Sequence, residues 1–156
     1  MASKMPEPGL YRTTKPYPGN EEALPAGVLV YVGMRPNEDI PFVVRPGANR
    51  RNRWFWGEPT SPLRSLTWGD TLVALPPQGF YILSEDIKLD GGGVWVKGAI
   101  VQLGYNGEGK GILFVAEDHE ESADNALYFS DRGMIVSDDL MKRLKWAAIL
   151  PVTKAG

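Results

Sequence analysis

Residues 91–118 read GGGVWVKGAIVQLGYNGEGKGILFVAED and predict the hairpin around which the fold is organised. Two apolar runs, residues 94–103 and 112–116, flank the pair Asn106 and Gly107. An Asn-Gly pair is typical of the two-residue type I′ turn, because both residues adopt a positive φ at little steric cost. The second run is continuously apolar, which favours a strand that is buried on both faces. We therefore expect this hairpin to lie at the centre of a β-rich core.

The composition favours a single, mainly β domain. The chain has 156 residues, of which 43% are hydrophobic and five are tryptophan, as in a packed globular domain rather than a disordered chain. Its 18 glycines and 13 prolines indicate short strands joined by tight turns. Residues 1–24 are rich in proline and are predicted to form an extended N-terminal arm. Residues 25–156 are predicted to form one β-rich domain.

The end of the chain supplies two further architectural signals. Ser137 precedes two aspartates and an apolar face, a pattern typical of a capped, short helix. An apolar closing strand is predicted over residues 146–152, with Pro151 suited to a sheet edge. The glycine-punctuated hairpin and this closing strand are similar to those of SH3-like barrels. We expect a small SH3-like barrel or a two-layer sandwich of short antiparallel strands, with one short C-terminal helix.

Charge and cysteine content exclude several classes of protein. The formal net charge of −2 argues against a nucleic-acid binder that acts through its overall field. The chain has no cysteine, which excludes disulfides and thiolate metal sites and is compatible with a reducing cytosol or with secretion. No apolar leader and no membrane-length apolar run are visible. We expect a cytoplasmic protein that does not enter the membrane.

Residues 45–64, RPGANRRNRWFWGEPTSPLR, are unusually basic and aromatic. They carry five arginines against one acid, and three aromatic residues stand beside the arginines. The candidate binding residues are Arg45, Arg50, Arg51, Arg53, Trp54, Trp56 and Arg64. Three interpretations stay open: core tryptophans with solvated or paired arginines, a protein–protein hot spot, or a surface that grips phosphates and stacks on bases.

A segment of opposite charge follows the central hairpin. Its acids are Glu117, Asp118, Glu120, Glu121 and Asp124, with no lysine or arginine between them. This segregation of charge suggests that the arginine-rich segment docks on an acidic surface, either of a protein partner or of this segment in a neighbouring copy. We therefore predict a non-enzymatic interaction or assembly module that needs no cofactor.

Two alternative functions belong to other classes. A small β-barrel that binds single-stranded nucleic acid would contact phosphates through the clustered arginines and stack bases on Trp54 and Trp56. A metal-dependent enzyme would use His119, the only histidine, with Asp118 and Glu121 as further candidate ligands. Consecutive loop residues rarely converge on one ion, so a solvated acidic loop is the preferred interpretation and no metal is expected.

Overall fold

The computed structural model describes residues 5–57, 61–118, 126–130 and 133–149. The first eight strands are β1 (Gly9–Arg12), β2 (Leu29–Gly33), β3 (Phe42–Val44), β4 (Pro46–Arg50), β5 (Arg53–Trp56), β6 (Ser61–Pro62), β7 (Val73–Leu75) and β8 (Gly79–Ile82). The others are β9 (Ile87–Lys88), β10 (Val94–Trp95), β11 (Ile100–Tyr105), β12 (Gly111–Glu117), β13 (Tyr128–Phe129), β14 (Met134–Val136) and β15 (Lys145–Trp146). The helices are α1 (Leu66–Gly69) and α2 (Asp138–Lys142). The prediction of a mainly β chain is confirmed.

The strands form two large and two small antiparallel sheets. The first large sheet has the order β6-β3-β2-β1-β7, and the second has the order β13-β12-β11-β8-β15, with β14 also paired to β12. The hairpins β4–β5 and β9–β10 each form a separate two-stranded sheet. Within the described ranges the sheets do not close, so an SH3-like barrel is not confirmed. No helix in these ranges is long and apolar enough to cross a membrane.

Two hydrophobic clusters cover the two faces of the first sheet. In β2, Leu29 packs in the first cluster with Leu103 of β11. The next residue, Val30, packs in the second cluster with Trp68 of α1. The alternation arises because successive side chains of a strand point to opposite faces. Both large sheets therefore contribute to the first cluster, and each fully buried leucine stabilises the fold by about 1.5–3 kcal/mol.

Strand β1 lies inside the segment that the sequence assigned to an N-terminal arm. It is hydrogen-bonded on both sides, with Tyr11 opposite Val30 of β2 and Ala74 of β7. Leu10 of β1 is buried in the first cluster. Residues 9–12 are therefore an interior strand of the first sheet, and the sequence around them supplies no local signal for their distant partner β7.

The central hairpin forms as predicted, but its predicted turn type is wrong. Strands β11 and β12 pair with Gln102 opposite Phe114. Neither Asn106 nor Gly107 has a positive φ; instead, Gly109 has φ +75°. The side-chain Oδ1 of Asn106 accepts hydrogen bonds from the backbone N–H groups of Glu108 and Lys110, both at 3.0 Å. Asparagine therefore builds a longer loop because its side chain substitutes for backbone acceptors.

The C-terminal predictions are confirmed in part. Ser137 caps α2, since its hydroxyl accepts a hydrogen bond from Leu140 N at 3.2 Å. The helix is not single, because Ser65 caps the short helix α1 in the same way. The closing strand is shorter than expected: β15 comprises Lys145 and Trp146, and residues 150–156 lie outside the described ranges.

An ion pair joins the N-terminal strand to the C-terminal helix. The Arg12 guanidinium of β1 donates two hydrogen bonds to the carboxylate of Asp138 in α2, with Nη1 lying 3.1 Å from Oδ1. Nη1 also lies 3.2 Å from the carbonyl oxygen of Gly109. The Arg12 hydrogen bonds hold the pKa of Asp138 below its usual value. This pair ties β1 of the first sheet to helix α2, which follows strand β14 of the second sheet.

We expect Asp138→Asn to lower the free energy of unfolding by about 1 kcal/mol near neutral pH, because solvent screens a partly exposed ion pair. Since the pKa of Asp138 is lowered by folding, the stabilisation is complete above the ordinary aspartate pKa of about 4 and is lost as the pH falls through the lowered value. Urea unfolding near neutral pH and near pH 2 measures this, and the difference between the native and variant chains should shrink in acid.

Asp139→Asn is the matched control, because Asp139 lies beside Asp138 in the first turn of α2 and has no ion pair to a described residue. A difference for Asp138→Asn that persists unchanged in acid would contradict the role of the ion pair.

Candidate functional site

The arginine-rich segment folds into the separate hairpin β4–β5. Arg51 and Asn52 form its two-residue turn, with φ values of 50° and 69°, between the paired residues Arg50 and Arg53. Positive φ at both central residues defines the type I′ geometry. The type I′ turn that was predicted for the central hairpin therefore occurs in the β4–β5 hairpin, at two residues that are not glycine. Asparagine tolerates this region well, whereas arginine at positive φ is uncommon.

Alternation along β5 separates Arg53 and Phe55 from the two tryptophans. Arg53 and Phe55 are exposed, whereas Trp54 and Trp56 are partly buried and pack against the first hydrophobic cluster. The indole Nε1 of Trp54 donates to the Tyr105 carbonyl at 2.6 Å. The two indoles therefore attach the hairpin to the body of the protein.

Trp56 makes its main ring contact with β2. Its indole stacks on the Tyr31 ring with a centroid distance of 5.3 Å and an interplanar angle of 17°. Exposed Phe55 lies on the other face of β5, where the guanidinium carbons of Arg50 and Arg53 lie 5.8 and 5.6 Å from its ring centroid. These distances suit cation–π attraction, which helps to hold the two arginine side chains over the outer face.

Gln78 fixes the inner edge of β5. Its side-chain Oε1 accepts from Trp54 N at 2.9 Å, and its Nε2 donates to Trp54 O at 3.0 Å. An amide side chain carries one acceptor and two donors, so it pairs with a strand as a neighbouring peptide group would. Trp54 is therefore held at its backbone as well as at its ring.

Two tyrosines position the segment that carries Gln78. The Tyr105 hydroxyl donates to the Pro76 carbonyl, and the Tyr81 hydroxyl donates to the Pro77 carbonyl, each at 2.6 Å. Burial raises the pKa of Tyr81 to about 12 and also raises the pKa of Tyr105. Both phenols therefore stay protonated, and remain donors, well above neutral pH.

The hairpin turn is bonded to the second sheet. The Asn52 side chain donates to Gln102 Oε1 at 3.1 Å, and Gln102 Nε2 donates to the Arg51 carbonyl at 3.0 Å. A Cβ at Gly104 of β11 would lie 2.9 Å from the Asn52 carbonyl oxygen. Only glycine at this position allows so close an approach, so the turn packs directly against β11.

A cavity of about 460 Å³ opens between the hairpin and the edge of the second sheet. It is lined by Arg50, Arg51, Asn52, Arg53, Gln78, Gly79, Phe80, Gln102, Trp146, Ala147 and Ile149. The three arginines are exposed, and none of the ion pairs between described residues involves them. Trp146 and Ile149 are about 60% exposed. The cavity therefore combines unpaired positive charge with an apolar wall.

The structure separates the remaining candidate arginines from this cavity. Arg45 Nη1 lies 3.5 Å from the Ala23 carbonyl, and Arg45 lines a different cavity. Arg64 is exposed and lines a third cavity with Arg35 and Glu38. The five arginines that are close in sequence therefore line different cavities and do not form one cluster. The sequence-based prediction also missed the polar Gln78, which no sequence pattern singled out, and Phe80, Trp146 and Ile149, whose only signal was an apolar character that a core would share.

The structure describes only part of the acidic segment. Glu117 and Asp118 are exposed, whereas His119, Glu120, Glu121 and Asp124 lie outside the described ranges. Among the residues that are described, no group of three or more His, Cys, Asp or Glu side chains is placed to hold a metal ion.

Gln78→Leu should lower the free energy of unfolding by about 1–3 kcal/mol, because the backbone N–H and C=O of Trp54 lose their partners. Amide hydrogen exchange provides the local readout: the Trp54 amide should exchange faster than in the native chain, while the Leu103 amide inside β11 changes only as much as global stability does. Equal acceleration at both amides would contradict a local anchoring role for Gln78.

Comparison with known proteins found no counterpart for this arrangement. No protein-family model, no curated protein and no solved structure matches the chain. The function of the cavity is therefore inferred from its own residues: three exposed arginines, three residues with side-chain amides and an apolar wall.

Proposed function

We propose that this chain is a non-enzymatic interaction module whose arginine surface docks on an acidic segment of a protein partner or of a neighbouring copy. We call Arg50, Arg51 and Arg53 the arginine surface. One observation carries the proposal: three exposed arginine residues line a single cavity, and no described carboxylate pairs with any of them. Guanidiniums bind carboxylates bidentately and are weakly hydrated, so they suit a protein interface.

The scaffold supports docking rather than closure around a small ligand. We interpret the two large sheets, which share the first hydrophobic cluster, as a two-layer sandwich that holds the hairpin from behind. Gln78 and Gln102 bond the hairpin backbone at two points. A surface held in this way loses little conformational entropy when a partner binds, which favours affinity.

The positions of Trp54 and Trp56 weigh against the base stacking that the nucleic-acid alternative assigned to these two indoles. Stacking on bases requires open aromatic faces beside the arginines. Trp54 and Trp56 instead pack against the first cluster, and Trp54 uses its Nε1 in an internal hydrogen bond. The exposed large apolar residues of the cavity wall are Trp146 and the aliphatic Ile149, and aliphatic and aromatic groups together suit the apolar side chains of a peptide.

Fluorescence anisotropy with a labelled oligoglutamate decapeptide tests this proposal. Binding should weaken as salt rises, because exposed charges are screened. Arg50→Gln, Arg51→Gln and Arg53→Gln should each weaken binding about threefold, and the triple variant about thirtyfold, since an exposed ion pair contributes up to about 1 kcal/mol.

Arg64→Gln is the matched control, because Arg64 is an exposed arginine that does not line this cavity. It should bind the decapeptide as the native chain does. Absence of oligoglutamate binding, or equal losses for Arg64→Gln and the arginine-surface variants, would overturn the proposal. Tighter binding of oligo(dT) than of oligoglutamate would overturn it in favour of the nucleic-acid alternative.

A further inference from the structure

A second cavity adjoins the arginine surface. It has a volume of about 410 Å³ and is lined by Glu7, Pro8, Gly9, Leu10, Tyr11, Tyr31, Arg53, Trp56, Ala74, Leu75, Pro77 and Gln78. Arg53 and Gln78 line both cavities. The two cavities therefore adjoin at Arg53 of β5, which a ligand in either of them can contact.

Two aromatic residues of this second cavity have unused hydrogen-bond donors. Other aromatic donors are already used. The Trp54 indole, outside this cavity, and the Tyr11 hydroxyl, within it, donate to backbone carbonyls at 2.6 and 2.7 Å. Tyr31 and Trp56, whose rings stack on each other, make no such bond to any described residue. Tyrosine and tryptophan at interfaces present an apolar ring and a polar tip, so these two donors are available to a bound chain.

The charges of the second cavity differ from those of the first. Among its lining residues Glu7 is the only acid and Arg53 the only base. Carboxylates are therefore favoured beside Arg53 and the arginine surface, and disfavoured toward Glu7. An occupant of the second cavity should be uncharged there and should carry its acids into the first cavity.

We infer that the second cavity binds a proline-rich stretch in polyproline II conformation, adjacent to the acidic residues that dock on the arginine surface. This inference rests on the proposed function and specifies its partner. A polyproline II chain has no internal hydrogen bonds, so its carbonyls accept bonds from donors such as Tyr31 Oη and Trp56 Nε1. Proline rings pack on aromatic walls, and the preformed helix loses little entropy on binding.

Anisotropy with three labelled peptides tests the inference: oligoglutamate alone, oligoglutamate extended by oligoproline, and oligoglutamate extended by an equal length of Gly-Ser. The extension is placed at either end of the glutamates in separate peptides, so that both chain directions are sampled. The better oligoproline extension should raise affinity about tenfold, and the Gly-Ser extension should not.

Tyr31→Phe and Trp56→Phe each remove one donor and keep an aromatic ring. Each should reduce the affinity of the proline-containing peptide about threefold or more. Oligoglutamate alone should bind Tyr31→Phe as before, because Tyr31 lies in β2, outside the hairpin that carries the arginines. Tyr17→Phe is the matched control, since the Tyr17 hydroxyl bonds Pro62 O outside this cavity. In ¹H–¹⁵N spectra the Trp56 indole N–H resonance should shift only with the proline-containing peptide.

The outcomes separate the two proposals. Oligoglutamate binding through the arginine surface, with no added affinity from oligoproline, would overturn this inference and leave the docking function standing. An equal effect of the Gly-Ser extension, or an unchanged affinity in both Tyr31→Phe and Trp56→Phe, would also overturn it. Absence of binding by every glutamate peptide would overturn the docking function and this inference together.

Discussion

The pairing of the Gln78 side chain with the backbone of Trp54 is the contact on which the arginine surface depends. Gln78 is itself placed by Pro76 and Pro77, whose carbonyls accept bonds from the buried phenols of Tyr105 and Tyr81. A continuous series of contacts thus leads from the first hydrophobic cluster to β5. Buried side chains therefore determine where the exposed arginines lie.

The alternation of a β-strand then determines which side chains face the solvent. Because Trp54 and Trp56 are held inward, Arg53 and Phe55 point outward. The type I′ turn joins β4 directly to β5 and places Arg51 at its tip. A flexible loop of the same composition would spread its positive charges, whereas this hairpin concentrates three of them at one cavity.

Local patterns predicted the elements of this fold better than their arrangement. The β11–β12 hairpin and the Ser137 cap depend on neighbouring residues, so the sequence identified both. The prediction of a type I′ turn at Asn106 was wrong, because the Asn106 side chain accepts backbone hydrogen bonds that stabilise a longer loop. The pairing of β1 with β7 depends on residues far apart in the chain, for which a single sequence carries no signal.

The sequence by itself determined that the chain is mainly β and that arginine and aromatic residues lie next to each other in one segment, because strand propensity and the order of residues are local properties. Only the tertiary structure decided which of these residues form a surface. Arg45 and Arg64 line other cavities, whereas Gln78 and Trp146 line the same cavity as Arg53. Long-range packing of buried side chains makes that selection, and it depends on contacts among segments that are distant in the chain.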